Sequence, residues 1–235
     1  VMSTALDSRT ASIARVHAQN WRIAFVWPVG ILAVITVVTW GVLASASGGV
    51  DINSGGATFV FFFGMVFFAQ GIAQFLPFTI GLGVTRREFF TATMWVAAGH
   101  ALIYAVGLGL LSLLERATNG FGVGMRMFAI ATPIAGDPLT EFGFFFGFTA
   151  LCNVVGILFG AIYLRWRVVG MWSTGTVITL IIGASILLIT WQGWWTALGT
   201  AVADTPRVVT MVILPVVAAA VAASATWSVM RRTEL

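Results

Sequence analysis

The sequence predicts an all-α integral membrane protein with six transmembrane helices, an N-terminal amphipathic interfacial helix and both termini cytoplasmic. Three observations carry this. Only 9% of the 235 residues are charged and 59% are hydrophobic, far too little charge for the surface of a soluble domain. The apolar residues fall in blocks of about 20, the length that crosses the hydrocarbon core of a bilayer. The arginines gather on alternate links between those blocks.

The chain reads as one transmembrane domain over residues 1–235, with spans near 23–45, 57–82, 92–114, 140–164, 168–191 and 208–230. Ahead of the first span, residues 9–26 fit a helix lying on the membrane. Arg15 and Arg22 share one face there, with Ile13, Val16, Trp21 and Ala24 broadly opposite, a pattern suited to the headgroup boundary. No cleavable signal peptide is expected, because residues 1–22 are polar and carry three arginines.

Charge sets the orientation. All 12 basic residues are arginine, and the formal net charge is +4. Assigning links to alternate sides puts Arg9, Arg15, Arg22, Arg86, Arg87, Arg165, Arg167, Arg231 and Arg232 on one side and Arg116, Arg126 and Arg207 on the other. The positive-inside rule makes the first side cytoplasmic. Arginines placed this way mark topology and not a nucleic-acid footprint, so no nucleic acid is expected as a partner.

Local signals mark the helix ends. Thr85-Arg86-Arg87-Glu88 fits a capping box, Thr85 capping and Glu88 reaching back. Asp137-Pro138 places a capping acid before a first-turn proline, and Thr205-Pro206 reads the same way for the last span. Pro77 and Pro215 are expected to kink their helices. Gly143-xxx-Gly147 and Gly156-xxx-Gly160 invite close helix approach, within one subunit or between two.

Absences narrow the chemistry. Without lysine there is no phosphate-binding P-loop and no Schiff base. His17, His100 and Cys152 offer no convincing metal spacing. The chain is expected to hold no cofactor and to be no enzyme by itself. Polar residues at membrane depth carry the functional signal. Gln70 and Gln74, four apart on the second span, share a face and are candidates for a translocation surface, with Asn153, Thr176 and Thr179. The same residues also suit hydrogen bonding between helices, and His100 suits packing better than proton relay.

The link Gly83-Val84-Thr85-Arg86-Arg87-Glu88-Phe89-Phe90 resembles the intracellular turn between the second and third spans of ABC-2 type transporter permeases. That resemblance extends to the plan of the whole chain. It implies a permease subunit, an exporter, that forms a dimer with a second copy or a similar permease. ATP hydrolysis would occur only in a separate ATP-binding subunit. Residues 83–90 would be the coupling helix docking into that subunit, with Arg86 and Arg87 supplying charge and exposed Phe89 and Phe90 an aromatic anchor. The tight link Arg165-Trp166-Arg167 departs from the plan, leaving little room for a second docking element. The alternatives are a secondary transporter, against which stands the lack of a mid-span acid, and a structural or assembly membrane protein.

Overall fold

A computed structural model of the chain describes residues 22–46 and 55–232. Most of the expected interfacial helix, residues 9–21, lies outside the described residues, as does most of the first link. Arg22–Val26 forms a π-helical turn running directly into α1 (Trp27–Ser45), with Pro28 in its first turn. There follow α2 (Thr58–Gly81), α3 (Arg86–Ala117), a short α4 (Thr132–Ala135), α5 (Pro138–Gln192), α6 (Trp195–Asp204) and α7 (Leu214–Met230). Five helical stretches are long and apolar enough to cross a membrane: Arg22–Ser45, Thr58–Gly81, Arg86–Ala117, Pro138–Gln192 and Val209–Met230.

α5 covers two of the expected spans. Fifty-five straight helical residues would run roughly 80 Å, far more than a hydrocarbon core of about 30 Å. Arg167 breaks the helix, with φ 53° and ψ −144°, a left-handed conformation unusual for a residue with a side chain. Beside the break, the Arg165 guanidinium stacks 4.5 Å from the Trp166 ring centroid.

The arm of α5 before Arg167 is the axis of the bundle, packed by α2, α3 and α7. Glycines set its distances. A Cβ on Gly156 would stand 2.1 Å from the Met65 carbonyl oxygen, and one on Gly160 2.6 Å from that of Ala69. Gly143 and Gly147 admit Val212, Pro215 and Val216 in the same way. Both glycine pairs thus pack helices within one chain. Phenylalanine fills the remaining space, with Phe61 against Phe148 edge-to-face at 4.9 Å between centroids.

The arm after Arg167 is built differently. Beyond Gly170, every residue through 192 is exposed except the half-buried Thr174, Gly183 and Ile189, and Trp172 and Trp191 are 75% and 85% exposed. α6 is exposed throughout, and the chain rejoins the bundle at Met211. The spans expected from the sequence end at 191 and resume at 208, leaving as a link the stretch where α6 stands. The sequence reading also assigned Thr205 as the cap of the last span, whereas its hydroxyl donates back to Ala201 O at 2.6 Å and closes α6. Pro77 lies within α2, one turn from its end, and Pro215 follows a π-helical turn, Val209–Ile213.

Candidate functional site

The turn between α2 and α3 forms because Thr85 is extended (ψ 150°) and both halves of the capping box close. The Glu88 amide donates to Thr85 Oγ1 at 3.3 Å, and the Thr85 amide donates to Glu88 Oε2 at 2.9 Å. The Thr85 hydroxyl donates to the same carboxylate oxygen at 2.8 Å. Just before the cap, Gly83 takes a φ of 80° to turn the chain out of α2.

The exposed surface of this turn differs from the expected one. Phe89 is fully buried, among Phe68, Ile72, Leu76, Leu164 and Met230, so it cannot be an anchor for a partner. The periodicity of α3 explains this: Phe89, Ala92, Thr93 and Ala97 share its inward face. Phe90 is half-buried and packs on Trp227 of α7 at 5.4 Å between ring centroids. Arg86 donates to Arg231 O at 3.3 Å, tying the turn to the end of α7. Leu82, Gly83, Thr85 and Arg87 are left outward. Sequence reasoning missed the Arg86 bond, which joins residues 145 positions apart and has no local signal.

The polar residues at membrane depth separate into two groups. Asn153 is fully buried and lines no open surface: its Nδ2 donates to Ala97 O at 3.0 Å and meets His100 Nδ1 at 3.2 Å. Its Oδ1 fills the space a Gly64 side chain would need. His100 sits among the rings of Phe25, Phe67, Phe68 and Tyr104, and Tyr104 donates to Ala24 O at 2.8 Å. This is the helix-joining role that the sequence also allowed. Gln70 and Gln74 are both exposed on α2, on one face, while Thr176 and Thr179 are exposed on the distal arm of α5. No hydrogen bond among the described residues joins the glutamines to the threonines.

The opposite end of α3 and the start of α5 bring together two buried carboxylates that sequence reasoning did not single out. Glu115 and Glu141 are each 2% exposed. Glu115 accepts three backbone amides, from Met127 at 3.0 Å, Phe128 at 2.8 Å and Ala129 at 3.1 Å. Glu141 accepts the hydroxyls of Ser112 at 2.8 Å and Thr132 at 2.7 Å, and Arg116 lies 3.7 Å away. Residues 118–137 are thereby strapped across the helix ends, with Met125, Met127 and Phe128 sunk into the core beside Tyr104, Leu108 and Phe145. Trp40 holds the outer edge, its indole N–H donating to Phe121 O at 3.1 Å. At the start of α5, Asp137 accepts the Thr140 amide at 2.8 Å. Hydrogen bonds from Thr140, side chain first and then backbone, hold the Asp137 carboxyl below its ordinary range.

Compared with protein-family models, curated proteins and solved structures, the chain matches none of them.

Proposed function

We propose that this chain is the membrane subunit of an ABC transporter of the ABC-2 permease type, an exporter that works as a dimer with a second permease. In this reading six spans cross the cell membrane, α5 supplying two of them, and both termini are cytoplasmic. ATP is hydrolysed by a separate subunit docked at residues 83–90. The capped turn is the observation that carries the reading. A rigid helix end between two long apolar helices, bearing exposed Arg87 and Leu82, suits a partner protein better than lipid. The docking surface is Leu82, Gly83, Thr85 and Arg87, with Arg86 carrying displacement of the turn to α7 through the Arg231 carbonyl. Gln70 and Gln74 line the path between the two permeases, where water or substrate satisfies amides that lipid would leave unpaired.

Affinity purification from native membranes tests this, with Arg87→Glu compared against wild type. An ATP-binding chain should co-purify with the wild type and be lost from the variant, since reversal puts repulsion at the contact. Recovery of no ATP-binding chain with the wild type, or equal recovery with both, would refute the docking reading.

A further inference from the structure

A cavity of about 320 Å³ opens at the end of the bundle opposite the Thr85–Glu88 turn, lined among others by Glu115, Arg116, Asn119, Met125, Arg126 and Thr132. Its acids and bases do not present themselves equally. Glu115 is buried, with its carboxylate already holding three amides of the strap. Arg116, whose side chain is 32% exposed, is turned in part toward Glu141. Arg126 is exposed and makes no hydrogen bond or ion pair with any described residue. The Asn119 carboxamide is equally uncommitted. What the cavity offers a visitor is therefore donors: one whole guanidinium, part of a second, and an amide.

Arg126 is also held in place by its neighbours. Met125 and Met127 on either side are 1% and 0% exposed, and the Met127 amide is bound by Glu115. The backbone is pinned on both flanks while the side chain is left outward, so the guanidinium is tethered at the cavity wall without being engaged. A planar fork of donors recognises an oxyanion bidentately. The cavity lies at the lower limit of small-ligand pockets, which suits a compact headgroup better than an extended substrate.

We infer that this cavity is an oxyanion-binding site, with Arg126 as its principal ligand-contacting residue and Asn119 and Arg116 completing it. The ligand is a phosphoryl or carboxylate group, borne by a lipid headgroup or by a soluble molecule. The site does not depend on the docking of an ATP-binding subunit and stands if that reading fails.

The test is a binding titration on the full chain in a maltoside detergent, whose headgroup carries no oxyanion, with two probes: inorganic phosphate, and phosphatidylglycerol added at increasing fraction and counted by native mass spectrometry. Arg126→Gln should weaken the productive probe about tenfold or more, and Arg126→Lys should fall between it and wild type. Arg232→Gln, which removes another exposed guanidinium at the far end, should bind as wild type does. The unfolding temperature of Arg126→Gln without probe should match wild type, because no described partner is lost. Response to phosphate identifies a soluble oxyanion, and response to phosphatidylglycerol alone identifies a lipid headgroup. Wild-type binding of neither probe, or equal binding by Arg126→Gln, would overturn the site.

Discussion

Replacing Glu115 with glutamine should loosen the strap that closes one end of the bundle. The side chain keeps its size but loses its charge and one of two acceptor oxygens. In the native protein Oε2 serves the amides of Met127 and Phe128, and Oε1 serves that of Ala129. A glutamine carbonyl can retain the first pair, and its NH₂ then faces the Ala129 amide donor to donor. One buried N–H left without an acceptor costs about 1–3 kcal/mol. The two surviving bonds lose their charge assistance, roughly 1 kcal/mol each. The sum is about 3–5 kcal/mol. For a chain of this size each kcal/mol moves the melting temperature about 2–4 °C, so a fall of at least ~6 °C is expected. Thermal unfolding in detergent measures it, and hydrogen exchange should show the amides of Met127, Phe128 and Ala129 losing protection first. A variant melting within about 1 °C of wild type would mean that Glu115 does not hold the strap.

Three further outcomes follow from the packing and caps. Gly156→Ala drives a methyl into the Met65 carbonyl and should cost about 1–3 kcal/mol, whereas Gly175→Ala, which meets open space, should be neutral; paired melting curves decide. Phe89→Ala should destabilise the bundle by about 3–5 kcal/mol as a buried truncation, while Arg87→Glu should leave the melting temperature unchanged and act only on partner recovery. Because the Asp137 carboxyl lies below its ordinary range in the folded chain, its capping contribution is complete above that range and is lost as pH falls through the lowered value. Asp137→Asn should therefore show a flatter acid limb of stability against pH, and parallel limbs would argue against the cap.

Much of this architecture is legible in the sequence because the determinants of membrane helices are local and coarse. A block of apolar residues, a capping box and an Asp-Pro pair each act within a few positions, and Thr85, Glu88 and Asp137 do what their spacing implies. The glycine pairs were legible as close contacts, though only the fold shows that they join helices of the same chain. Phe89 was misjudged because link membership says nothing about helical phase: the helix begins inside the link, and Phe89 is its first inward position. α6 was missed because its 10 residues are too few to read as a span and follow a turn-like Gly193. The buried roles of Glu115 and Glu141 depend on partners 9 to 29 positions away, among them backbone amides that have no identity in a sequence.

The distal arm of α5 has a consequence for how variation is read along this chain. Residues 171–192 meet the bundle directly only where they begin, since their far end leads through exposed α6 to Met211, and they are largely exposed along their length. Exchanging one apolar side chain for another there removes almost no contact that the chain makes with itself. Substitutions in this stretch and substitutions in the proximal arm therefore report on different things, although both arms belong to α5 and are similarly apolar. Proximal changes, such as those at Gly156 or Asn153, act on whether the bundle folds. Distal changes act on how the surroundings receive it, so a mutational scan of α5 should change character at Arg167.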